Sequence, residues 1–101
     1  MLASASADAT VKLWDLNNTK CAQSYSYHDD KVCSIAWHPR EATALLSGSY
    51  DKSVVAGDMR APEQGQRRWW VDSDVENLMW DPHDNNYFYV SLHVGILEAY
   101  Y

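Results

Sequence analysis

The sequence predicts an all-β chain built from repeats of one short-stranded unit, and three observations carry that prediction. Residues 4–15 lie over residues 47–58, and residues 30–39 lie over 73–82, so two segments recur at one spacing of 43 residues. The second alignment pairs Val32 with Val75, Trp37 with Trp80 and Pro39 with Pro82 as identities. Apolar residues sit in short β-branched runs broken by Asp, Asn, Gly and Pro, as at Val11 with Leu13 and at Val54 with Val55. No window carries apolar residues at helical spacing over three turns.

Ten strands follow from this punctuation, at 1–6, 10–16, 20–27, 32–37, 44–49, 53–59, 66–71, 75–80, 87–92 and 96–101. The first two belong to the Ser-x-Ser-x-Asp copy and run into Val11, Leu13 and Trp14. The third follows the polar turn Asn17-Asn18-Thr19, and the fourth is the Val32–Trp37 copy that stops at Pro39. The fifth and sixth repeat the opening pair around Asp51, and the seventh is the Arg67-Arg68-Trp69-Trp70 run. The eighth repeats the fourth and stops at Pro82, and the last two form a decayed copy in which Val94 stands for the Asp and Tyr100 for the Trp. Both faces of several strands are apolar, as expected of sheets sandwiched between neighbours.

Composition sets outer limits. A chain of 101 residues allows one domain of modest size. With 47% hydrophobic residues it is not disordered by composition, and a net charge of −6 excludes holding nucleic acid by bulk charge. An acidic surface favours basic partners. The first residues lack the n-region and apolar run of a signal peptide, and no apolar stretch approaches membrane-spanning length. Cys21 and Cys33 form neither a disulfide framework nor a C-x-x-C pair. The expectation is a reduced, intracellular, soluble chain.

Four short strands per unit of about 43 residues, with Trp-Asp ending one strand, is the β-propeller arrangement. Residues 4–15, Ser-x-Ser-x-Asp-x-Thr-Val-Lys-Leu-Trp-Asp, resemble the WD40 repeat signature, and the resemblance covers nearly the whole chain. It implies a WD40 β-propeller fragment of about 2.3 four-stranded antiparallel blades, too short to close a ring. The expected division is 1–27 as the end of one blade, 28–71 as one complete blade and 72–101 as the start of the next. Uncovered strand edges and apolar faces are expected where blades lack neighbours.

The resemblance also implies a polar network of His, Ser or Thr, Asp and Trp that holds each blade together. The central repeat supplies His28, Ser47 or Ser49, and Asp51, but Gly57 stands at the Trp position. The first repeat supplies Asp8 and Trp14 without the upstream His. These residues are expected to stabilise and not to catalyse.

No constellation for chemistry emerges. Asp81-x-His83-Asp84 and His28-Asp29-Asp30 contain ligand-type residues in loops, without the spacing of a metal site, so no metal and no cofactor is expected. There is no G-x-S-x-G, no Gly-rich phosphate loop, and Cys33 sits in a strand as a core thiol. Asp72 and Asp74 flank a loop with no apolar pocket. Arg67, Arg68, Trp69 and Trp70 form the one basic-aromatic cluster: a partner surface able to stack on RNA, or an outer strand whose Arg stems cover its own Trp faces.

The expected function is a non-catalytic protein-interaction scaffold, not an enzyme. Residues 2–16, 30–39 and 45–54, above all "SGSYDKSV", resemble one branch of the WD40 family. That branch implies large ribosomal subunit assembly and rRNA processing in the nucleus and nucleolus. The partners it implies are ribosome-assembly factors or basic tails, including histones, without membrane or small-molecule substrate. Asp29, Asp30, Asp72, Asp74 and Glu76 would suit basic partners. Direct contact with pre-ribosomal RNA is the alternative.

Overall fold

A computed structural model describes residues 2–15, 17, 20–41, 43–58 and 66–101. Three antiparallel sheets follow one another along the chain. The first holds β1 (Leu2–Ala5), β2 (Val11–Asp15) and β3 (Lys20–Tyr25) in that order. The second holds β4 (Val32–Trp37), β5 (Ala44–Ser49), β6 (Ser53–Asp58) and β7 (Arg67–Trp70). The third holds β8 (Val75–Trp80), β9 (Tyr87–Leu92) and β10 (Gly95–Tyr100). Every strand pairs with its sequence neighbour inside its sheet, as an up-and-down blade requires, and the three blades do not close a ring. All ten expected strands are present, with ends moved by two residues at most; expected positions 1, 16 and 59 lie outside the described residues.

The 43-residue period is a structural period. The register between β4 and β5 slips between Val32 and Ser34, and that between β8 and β9 slips between Val75 and Asn77, so one bulge recurs at one repeat position. The β1–β2 turn places Ala9 at φ 72°, and the β5–β6 turn places its counterpart Lys52 at φ 67°. Three residues with the last left-handed is a favoured hairpin connection, and it fits the turn after Ser49.

One expectation needs correction. The turn from β9 to β10 is one residue shorter than that from β5 to β6, since only His93 and Val94 separate Leu92 from Gly95. Gly57 pairs with Leu45, and the equivalent pair in the third blade is Ala99 with Phe88. Ala99, not Tyr100, therefore occupies the third Trp position. A constant 43-residue period carries the strand one residue too far across the shortened turn.

The core lies in the seams. Between the second and third blades Leu46, Val54, Val75, Leu78, Trp80, Phe88, Val90 and Leu92 form one buried cluster. Phe88 is fully buried, meeting Trp69 at 5.0 Å and Trp80 at 5.8 Å in edge-on geometry. A smaller cluster of Val11, Val32 and Leu45 joins the first and second blades. Each such side chain contributes about 1.5–3 kcal/mol on leaving water. The apolar faces at these two seams are spent on blade-to-blade contact, whereas Met79, Ile96 and Leu97 of the third sheet are exposed.

Candidate functional site

The polar centre of the second blade is assembled from three strands and the turn beside them. The left-handed Lys52 closes the turn so that Asp51 points back into the blade. Asp51 Oδ1 accepts the Ser53 amide at 3.0 Å and the Ser53 hydroxyl, while Oδ2 accepts the Asp29 amide at 3.0 Å. His28 Nδ1 lies 3.0 Å from Asp51 Oδ2 and Nε2 lies 2.8 Å from Ser47 Oγ. With Asp51 accepting, Nδ1 carries the proton and Nε2 accepts from Ser47. Ser49 Oγ donates to the carbonyls of Asp30 and Lys31 and accepts the Asp51 amide at 3.0 Å.

Electrostatics follow burial. The His28 side chain is fully buried, and that burial holds its pKa below the ordinary 6.5 against the attraction of Asp51. Burial alone would raise Asp51, but the Ser53 hydroxyl, the Asp29 amide and His28 outweigh it and hold the carboxyl below 3.8. A neutral imidazole beside a carboxylate is the result.

Arg68 joins this centre, which sequence reasoning missed. Its guanidinium donates to Ser53 Oγ at 3.0 Å and to the Tyr27 carbonyl, and stands 3.8 Å from Asp51. Strand alternation is the signal that was available: Arg68 pairs with Val55 and Trp70 with Ser53, so both point to the face toward the first blade. Arg67 and Trp69 point to the other face, where Trp69 packs on Phe88. Arg67 lies 5.0 Å over Trp69 and Arg68 5.2 Å over Trp70. The basic-aromatic run is thus divided between two faces, and its one largely exposed ring is Trp70, at 68%.

The first blade holds the complementary part of the pattern. Trp14 Nε1 donates to Ser4 Oγ at 2.9 Å, and Ser4 is the counterpart of Ser47. Asp8 accepts the Thr10 amide at 3.1 Å and the Thr10 hydroxyl, repeating the Asp51–Ser53 turn. Where Gly57 replaces the Trp, no indole reaches Ser47.

The opposite ends of the strands show a second repeated device. His38 Nδ1 accepts the amides of Arg40 and Glu41 at 3.0 and 2.9 Å, and Nε2 donates to the Asn85 carbonyl of the next blade at 3.1 Å. Its counterpart Asp81 accepts the amides of His83 and Asp84 at 2.8 and 3.2 Å. A cleft of about 410 Å³ opens between these loops, lined by Arg40, Trp80, Asp81 and His83 among others. Asp81 is already engaged by those amides, and the His83 amide bond is the leading cause of its lowered pKa.

Among the described residues no three His, Cys, Asp or Glu side chains gather as a metal site. Cys33 Sγ donates to the carbonyls of Gly48 and Val75, and burial pushes the thiol pKa up, which disfavours the thiolate. The acidic loop residues Asp29, Asp30, Asp72 and Glu76 are exposed and Asp74 is half-buried; Glu76 stands 3.5 Å from His93.

Comparison with known proteins agrees with this architecture. The family described as "WD domain, G-beta repeat" (WD40) matches residues 1–15 and 19–55. The chain is similar to the periodic tryptophan protein 1 homolog of Drosophila melanogaster, 34% identical over 101 residues, covering 97% of this chain and 22% of that protein. It is 45% identical over 73 residues to periodic tryptophan protein 1 of Saccharomyces cerevisiae, covering 69% of this chain and 13% of that protein. Against WD repeat-containing protein 25 of Mus musculus it is 35% identical over 91 residues, covering 87% of this chain and 16% of that protein. The chain thus spans less than a quarter of each of these relatives, and none of the three carries an enzyme's name. Sheets of three or four short antiparallel strands, a 43-residue structural period and these matches together show that the chain belongs to the WD40 repeat family.

Proposed function

We propose that this chain is part of a non-catalytic interaction scaffold that acts in large ribosomal subunit assembly and rRNA processing, in the nucleus and nucleolus. The observation that carries the reading is the similarity to periodic tryptophan proteins from fly and yeast, extending over 97% and 69% of the chain. The blade geometry supports the non-catalytic part. His28, Ser47, Ser49 and Asp51 satisfy one another and the backbone, as do Asp8 and Trp14 with their neighbours, so these groups serve as structural ties within blades. The blade division is 1–27, 28–71 and 72–101, with recognition left to loops and rims. Ribosome-assembly factors or basic tails are the fitting partners, because Asp29, Asp30, Asp72 and Glu76 present carboxylates to solvent.

The test is affinity purification of the protein, expressed from its own gene with a small tag, out of nuclear extract. Co-purification of large-subunit precursor particles is expected. Recovery of histones without those particles, or of neither, would overturn the ribosomal reading. Contact of Arg67, Arg68 and Trp70 with pre-ribosomal RNA is the second reading, and the exposed Trp70 ring favours it.

A further inference from the structure

The loops that follow β4 and β8 are copies of one another. His38-Pro39-Arg40-Glu41 lies over Asp81-Pro82-His83-Asp84 at the 43-residue spacing. In each, the first side chain accepts the amides two and three residues on, and a proline follows it, so the loop backbone is fixed. His38 adds a tie to the next blade: its Nε2 donates to the Asn85 carbonyl at 3.1 Å, and its ring meets the buried Trp80 edge-on at 4.4 Å. The cleft of about 410 Å³ between the two loops is therefore held open by bonds on both sides. It lies at the ends of the strands, between two blades that are both present, whereas further blades of a propeller stack on sheet faces.

The acceptors lining this cleft are occupied and its donors are not. Asp81 has both oxygens engaged, Oδ1 by the His83 and Asp84 amides and Oδ2 by the Tyr89 hydroxyl at 3.0 Å. Asp84 Oδ1 accepts the Asn86 amide at 3.1 Å. Among the described residues neither the exposed Arg40 guanidinium nor the exposed His83 ring makes a hydrogen bond, and Arg40 has no ion pair. Arg40 thus keeps a permanent charge and five N–H donors for a guest. The exposed carboxylates Asp29, Asp30 and Asp72 stand before β4 and β8, at the opposite ends of those strands. A six-residue strand puts them about 20 Å away, beyond the distance at which charge acts unscreened.

From these unpaired donors we infer that the cleft receives a carboxylate side chain from an acidic segment of a partner protein. The carboxylate takes two N–H bonds from Arg40 and a third from the His83 ring, and the apolar flank of the segment lies against Pro39 and Pro82. A long polyanion such as RNA is disfavoured, because one permanent cation neutralises one phosphate and a chain of net charge −6 repels the rest. The inference goes beyond the scaffold reading: it adds a contact of the opposite charge at the opposite strand ends.

The test is fluorescence anisotropy with three labelled decapeptides, alternating Glu, Gln or Lys with Val, titrated with the whole chain at low and at moderate salt. The Glu peptide is expected to bind, more weakly as salt rises, and the other two are not. Arg40→Gln is expected to weaken binding about fivefold, the size of one exposed charge pair, and Arg40→Lys to restore part of the loss. His83→Ala is expected to weaken it less, and Lys31→Gln, at the other end of β4, to leave it unchanged. All three side chains are exposed, so these variants keep the fold. Equal binding of the Glu and Gln peptides, tighter binding of the Lys peptide, or an effect of Lys31→Gln as large as that of Arg40→Gln would overturn the inference. So would an oligouridylate that binds more tightly than the Glu peptide and is lost in Arg40→Gln, which would give the cleft to RNA. Self-association seen by sedimentation and lost in Arg40→Gln would give it to a second copy and overturn the inference too. Each of these results leaves co-purification of large-subunit precursor particles, and with it the scaffold reading, untouched.

Discussion

Replacing Gly48 by alanine adds a single methyl at the tightest point of the second seam. The new Cβ would lie 2.5 Å from Val75 Cγ1, 3.2 Å from Val75 Cβ and 3.3 Å from Leu78 Cδ1. Val75 is fully buried and Leu78 is 6% exposed, so neither can swing into solvent. Overpacking of this kind costs about 1–3 kcal/mol. Alanine recovers at most about 1 kcal/mol of that through strand preference and a less flexible unfolded chain. A net loss of about 1–2 kcal/mol is expected, read as a fall in Tm of about 4–16 °C for a chain of this size. Urea unfolding of Gly48→Ala, Val75→Ala and the double variant is the assay. The 2.5 Å clash disappears when Val75 is shortened, leaving the contacts at 3.2 and 3.3 Å, so Gly48→Ala is expected to cost clearly less in that background. If Gly48→Ala is neutral in the native background, or costs the same in both, the close approach does not govern the seam and the reasoning fails.

Acid sensitivity should arise in two stages. The His28 pKa is lowered, so its contribution is complete above the unfolded value of about 6.5 and is lost as pH falls through the folded value. The Asp51 pKa is lowered too, so its contribution is lost below an unfolded value of about 3.9. Urea midpoints are expected to decline as pH falls below about 6.5, and His28→Gln to flatten that first limb while lowering stability throughout. Arg68→Ala removes the bonds to Ser53 and to the Tyr27 carbonyl; with the side chain 31% exposed, a loss of about 1–2 kcal/mol is expected by chemical denaturation, and Arg68→Lys should recover only part of it. Lys52→Gly relieves a left-handed residue at φ 67° and is expected to raise the unfolding free energy read from urea titration by about 0.5–1 kcal/mol. For the RNA reading, filter binding over a salt series should show Arg67→Ala with Trp70→Ala weakening affinity and flattening its salt dependence; an unchanged slope would remove that reading.

The strands and their order were legible because a blade is a local object. Each strand pairs with its sequence neighbour, so turn residues and β-branched runs carry enough information to place it. The repeat was legible for a related reason: Val32 and Val75, or Trp37 and Trp80, meet the same surroundings one blade apart, and the same surroundings call for the same side chain. Asp51, His28 and Ser47 could be named as types by resemblance to the WD40 pattern, but their separations of 2.8–3.0 Å arise only when two turns and a central strand fold over one another.

Where the reading fell short, the deciding contacts run between distant strands. Arg68 reads as half of a basic-aromatic run until pairing with Val55 turns it toward Ser53 and separates it from Trp69. The Trp position of the third blade shifts to Ala99 because a turn lost one residue, which no constant period can register. Composition and periodicity by themselves determined an all-β repeat protein whose sheets bury faces against one another. Only the tertiary structure decided how closely those faces approach at Gly48, and that the loops of Arg40 and His83 enclose one cleft. The physical reason is range: hydrogen-bonded pairing acts between neighbours in sequence, whereas packing and desolvation are settled between residues that meet only after folding.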